Sequence, residues 1–106
     1  MALSLAKEKQ TARLNEEFRD AQSPVLQTTS NQVCGCCYIG NSWTTRSEAD
    51  MMIEQLRLTA SHDLLDIGAG AGWPSLYLAL QTGCAVTLLD LPEIGLQLAE
   101  ARAEAD

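Results

Sequence analysis

From Leu64 to Pro74 a short apolar run meets an acid, Asp66, then three glycines alternate with small residues, and a proline follows Trp73. Few local patterns restrict a backbone as tightly. Each glycine removes a Cβ where the chain turns sharply or where another molecule comes against the main chain. Pro74 suits the first turn of a following helix, where its missing N–H is no loss. A second apolar run, Ala85 to Leu89, then ends in Asp90. The predicted order is strand, glycine turn, helix, strand, acid, which is the opening of a nucleotide-binding α/β fold.

The spacing of the glycines narrows the ligand. Dinucleotide-binding turns read G-x-G-x-x-G, and the position of the third glycine is held here by Trp73. A strict nicotinamide reading therefore fails. The pattern present, Asp66-x-Gly68-x-Gly70-x-Gly72, resembles the first motif of the class I S-adenosylmethionine-dependent methyltransferases. The resemblance implies a Rossmann-like fold with S-adenosyl-L-methionine as cofactor. It implies that Asp66, Gly68, Ala69, Gly70 and Gly72 form the loop under the methionine part, that Asp90 binds the two ribose hydroxyls, and that Leu91 lies against the adenine. The chemistry is compatible with this. S-adenosylmethionine has no pyrophosphate, so the turn needs close approach rather than a wide anion nest. A carboxylate at position 90 can accept from both hydroxyls of a diol through charge-assisted hydrogen bonds.

The chain of 106 residues is 46% hydrophobic, enough for a core. After Asp90 it offers one further helix, over 92–103, and only two sheet strands are visible. Two parallel strands with flanking helices leave edges and apolar faces uncovered. The expected fold class is α/β: the N-terminal portion of a Rossmann-like methyltransferase fold, with N-terminal helices, then strand, helix, strand, helix, and an incomplete sheet. Residues 1–60 are expected as a helical cap with a loop, and 61–106 as the start of the cofactor-binding domain. A fragment, a truncated frame or a chain completed by a partner would each give this pattern. The 106-residue chain alone is then expected to be inactive, and either to self-associate through its uncovered edges or to be only partly ordered.

Upstream of the turn, residues 4–22 favour helix, with Leu14, Phe18 and Ala21 on one stripe. Ser23-Pro24 is read as its stop. The polar, turn-rich stretch 23–44 reads as a loop. Thr45-Arg46-Ser47-Glu48 matches a capping box, so a second helix is expected from Thr45 to about Leu58, with Ala49, Met52, Ile53 and Leu56 on one side. The segment Tyr38–Arg46 resembles the one preceding the fold in small-molecule methyltransferases. That resemblance implies that Trp43 covers the cofactor and Arg46 pairs with its carboxylate. The alternatives are a core anchor for Trp43 and a solvated residue for Arg46, which stands in a first helical turn where the macrodipole disfavours it.

The net charge of −7, with seven scattered basic residues, argues against a nucleic-acid footprint. No window has the apolar length of a membrane span, and the N-terminus lacks the form of a signal peptide, so the cytoplasm is the expected compartment. Cys34, Cys36 and Cys37 form one incomplete cluster, short of the paired spacing of a structural zinc site, and read as inert thiols with no metal. Cys84 reads as a small buried residue and His62 as a loop histidine.

Three functions follow. The first is a methyltransferase acting on a small-molecule methyl acceptor, its acceptor atom and catalytic residues left open because acceptor-side residues lie beyond this part of the family's fold. The second is a non-catalytic binding or assembly module that keeps the half-fold. The third, disfavoured by Trp73 and Asp66, is a nicotinamide-dependent oxidoreductase.

Overall fold

Two five-residue strands, β1 (Asp63–Ile67) and β2 (Ala85–Leu89), pair in parallel, with Asp63 opposite Ala85 and Ile67 opposite Leu89. The computed structural model describes residues 2–35 and 42–105. Among these it is a mixed α/β arrangement of five helices and one open two-stranded sheet. In chain order α1 (Ala2–Asp20), α2 (Pro24–Cys34) and α3 (Arg46–Leu56) precede β1; α4 (Ser75–Thr82) crosses over to β2, and α5 (Glu93–Ala105) follows it. A parallel pair needs such a crossover, because the chain must return to the same end of the sheet.

Side chains alternate across the strands, as a period of two requires. Leu64, Asp66, Val86 and Leu88 are half-buried, whereas Leu65, Ile67 and Leu89 stand exposed on the other face. The covered face carries the core. Trp73, Tyr77 and Leu78 pack there with Ala49 of α3 and Cys34 of α2, and Ile53, Leu58 and Leu64 close around them. The core thus draws on both the segment before residue 60 and the segment after it.

Local signals explain the helix ends. At α3 the expected capping box is present: Thr45 Oγ1 accepts from the Glu48 amide at 3.2 Å, and Glu48 Oε2 accepts from the Thr45 amide at 2.8 Å. Of its expected stripe, Ala49 is buried and Ile53 half-buried, while Met52 and Leu56 are exposed. The line that α3 turns to the core is therefore a narrow i, i+4 row. Gly83 ends α4 in the left-handed region at φ 76°, its N–H donating to the carbonyl of Ala79.

One expectation is corrected. Residues 23–44 are not all loop, since α2 occupies Pro24–Cys34. Ser23 is the reason, for it starts a helix rather than only stopping one. Its Oγ accepts from the Leu26 amide at 3.4 Å, Pro24 takes the first turn, and Gly35 closes the other end at φ 71°. Cys34 and Cys84 are buried free thiols, and the expectations for Cys36, Cys37 and Tyr38–Asn41 lie outside the described residues. Among the described residues no helix is long and apolar enough to cross a membrane.

Candidate ligand site at the glycine turn

The turn after β1 continues the sheet before it leaves it. The amides of Gly68 and Ala69 both donate to the carbonyl of Leu89, at 2.7 and 3.1 Å, so the turn is sewn to the last residue of β2. Gly68, Gly70 and Gly72 then all take positive φ, 81°, 55° and 91°. Residues with a Cβ rarely adopt that conformation, so the alternating glycines are a backbone requirement.

Their surroundings differ. A Cβ on Gly68 would meet nothing within 4 Å. On Gly70 it would stand 3.1 Å from the ring of Phe18, and on Gly72 only 2.6 Å from a methyl of Leu76. Gly68 alone is glycine with open space beside it, whereas Gly70 and Gly72 admit neighbours from the same chain.

The two acids are held by hydrogen bonds. Asp90 Oδ2 accepts from the Gly70 amide at 2.6 Å, and Oδ1 from the amide of Leu91 at 2.7 Å. Asp66 Oδ2 accepts from the hydroxyl of Ser75, at the start of α4. A carboxylate has about four acceptor positions, so each acid keeps capacity for further donors. From the other side Arg102 of α5 donates to the carbonyl of Ala71 at 2.7 Å.

These elements enclose a cavity of about 450 Å³ at the C-terminal ends of the strands, where open α/β sheets bind ligands. Asp66, Gly68, Ala69, Gly70 and Asp90 line it, joined by Leu14 and Phe18 of α1, Ser42 and Pro92. Gly72 is buried behind the turn. Leu91 is half-exposed and does not line the cavity.

Trp43 and Arg46 are placed elsewhere. Trp43 is 71% exposed and lies beside Met51 and Met52 of α3. The tryptophan in the core is instead Trp73, whose Nε1 donates to the carbonyl of Thr44 at 2.7 Å. The Arg46 guanidinium sits 5.6 Å from the centre of the Tyr77 ring, a cation–π contact that holds it at the α3 start despite the macrodipole. The tyrosine hydroxyl in turn donates to Asp50. His62 is a loop residue, with Nδ1 accepting from the amide of Thr59 at 3.0 Å.

Sequence reasoning did not place Leu14, Phe18, Ser42 or Pro92 at the cavity. The stripe containing Leu14 and Phe18 was visible as apolar periodicity, but nothing local says what an apolar stripe packs against. No protein-family model matches the chain, and comparison with curated proteins and with solved structures returns no match.

Proposed function

We propose that the chain is a cofactor-binding part of a class I S-adenosylmethionine-dependent methyltransferase with a Rossmann-like fold, acting on a small molecule. The observation that carries the reading is the hydrogen bond from Gly70 to Asp90, which ties the acid after the second strand to the glycine turn in the wall of a cavity that the open Gly68 also lines. The residues fit the group. Open space over Gly68 suits close passage of an aliphatic chain, and Asp90 retains acceptor capacity for a diol. A cavity of this size is in the range of small-molecule sites.

The state of the turn amides also weighs against a dinucleotide. Those of Gly68, Ala69, Gly70 and Gly72 are all engaged within the chain, to Leu89, Asp90 and Ala69, so they are not offered to a pyrophosphate. S-adenosylmethionine needs no such nest.

When bound, the cofactor supplies an activated methyl on a sulfonium, open to displacement by a nucleophile on the acceptor. The chain's own contribution is to bind and orient it: Asp90 holds the sugar, the turn sets the approach distance, and Leu14, Phe18 and Pro92 exclude water from one side. Isothermal titration calorimetry is the test. Binding of S-adenosylmethionine or S-adenosylhomocysteine, with none of a nicotinamide dinucleotide, is the expected result. The converse pattern overturns the reading.

A second reading, a non-catalytic assembly module, is favoured by the exposed apolar row of Leu65, Ile67 and Leu89 on one sheet face. Association in sedimentation velocity without adenosyl-ligand binding would select it.

A further inference from the structure

Three glycines give the turn its shape and also its freedom, because a residue without a Cβ holds no one conformation by itself. Its order must come from its neighbours. Gly68 and Ala69 donate to Leu89, Gly70 to Asp90, and Gly72 back to the carbonyl of Ala69, so those ties all engage amides of the turn. On the carbonyl side the hold comes from α5. Arg102 Nη1 donates to the Ala71 carbonyl at 2.7 Å, across 31 residues of sequence. Gly95, Ala99 and Arg102 follow at i, i+4 and i+7 along α5 and therefore share a face, which meets the turn residue by residue. A Cβ on Gly95 would stand 2.9 Å from the Gly70 oxygen and 3.2 Å from the Phe18 ring, and a Cβ on Gly72 would stand 3.1 Å from the Cβ of Ala99. The small residues let the two backbones come close, and Arg102 takes the carbonyl that lies between those two turn glycines. Arg102 itself is half-buried and does not line the cavity.

We propose that Arg102 is a positioning residue of the adenosyl-ligand site: without touching the ligand, it fixes the Ala71 carbonyl and so the form of the turn in which Gly68 stands open and Gly70 meets Asp90. The proposal rests on the S-adenosylmethionine reading and adds to it a residue outside the glycine motif. The stretch Gly70-Ala71 is held at both ends by charge. An anion, Asp90, accepts its first N–H, and a cation, Arg102, donates to its last carbonyl, each a hydrogen bond of the stronger, charge-assisted kind. Without the cation the peptide between Ala71 and Gly72 regains torsional freedom, since a glycine tolerates either sign of φ. A ligand must then order the turn as it binds, and that cost is subtracted from its affinity. The macrodipole favours any base in the last turn of α5, but only a donor aimed at Ala71 bears on the turn.

Amide exchange followed by NMR, together with calorimetry, on the full chain separates positioning from plain stabilisation. Arg102→Met keeps an apolar stem on α5 and removes every donor. In the ligand-free protein its Gly70 and Gly72 amides should exchange faster relative to that of Leu78, a core residue whose N–H donates to Pro74. S-adenosylhomocysteine should bind this variant about tenfold more weakly than the parent. A single carbonyl needs no planar fork, so Arg102→Lys should return the affinity to within about threefold of the parent. Arg102→Ala, which loses the stem as well, should match Arg102→Met in affinity and answers for a methionine variant that does not fold. A folded variant without the arginine that binds as tightly as the parent overturns the positioning role and leaves the cofactor reading standing. So does faster exchange at Gly70, Gly72 and Leu78 alike, which is a loss of overall stability, and so does a lysine variant no better than the methionine one. If the parent chain itself binds no adenosyl ligand, the cofactor reading and the proposal fall together.

Discussion

The side chain of Asp90 accepts a hydrogen bond from the backbone N–H of Gly70 at 2.6 Å, so the acid that ends the second strand closes the turn that follows the first. The same carboxylate accepts from Leu91, which fixes the chain as it leaves β2 for α5. A group expected to serve a ligand is thus also part of the frame.

Asp90→Ala is therefore expected to lower stability as well as affinity. Leaving a part-buried amide without its charged acceptor costs about 1–3 kcal/mol. Urea unfolding should show that loss in the absence of ligand, and Asp90→Asn, which keeps one carbonyl acceptor, should recover part of it. An unchanged midpoint for Asp90→Ala would mean that the Gly70 amide is served as well by water.

The three turn glycines should respond differently to alanine. Each substitution meets the left-handed backbone penalty of about 1 kcal/mol or more. Gly72→Ala must also displace Leu76 and crowd Ala99, so it should be the most destabilising. Gly68→Ala meets no neighbour and should be the mildest in thermal unfolding, yet it should weaken adenosyl-ligand binding most for its cost in stability. Equal costs at positions 68 and 72 would show that the backbone conformation, not the packing, sets both.

The cap of α3 carries a pH dependence of known sign. The backbone N–H of Thr45, and then its hydroxyl, hold the Glu48 carboxyl below its ordinary value of 4.5. A folded value below the unfolded one means that this contribution is present above about pH 4.5 and is lost as the pH falls through the lowered value. Hydrogen exchange at the first turn of α3 should accelerate in that acid window, relative to α4, and Glu48→Gln should flatten the trend. At neutral pH, Thr45→Ala should cost about 1 kcal/mol, since it removes the acceptor of the Glu48 amide.

The two faces of the sheet make a further contrast. Leu78→Ala opens a void in the core and should cost about 2–5 kcal/mol. Leu65→Ala, on a strand residue 58% exposed, should cost under about 1 kcal/mol by chemical denaturation. A large loss at Leu65 would reveal that its face is covered in solution, as the assembly reading requires.

Much of the architecture was legible locally because its causes are local. The glycine turn follows from allowed φ/ψ, the start of α3 from a Thr and a Glu three positions apart, and the strands from short apolar runs between breakers. Such rules act within about four residues. Where a local pattern has two meanings the sequence was less decisive: Ser23-Pro24 ends one helix and begins another, and hydrogen bonds to Leu26 and from Gly35 to Asn31 resolve it. For the site's outer wall a helical cap and its apolar stripe were legible, but not which residues they meet. That Phe18 seats on Gly70 and Gly95, that Arg46 turns to the Tyr77 ring, and that Trp43 is exposed while Trp73 anchors the core depend on which faces meet in space. An apolar stripe or an aromatic ring states only that it needs burial; hydrophobic attraction has no direction, and only the packed chain selects the partner.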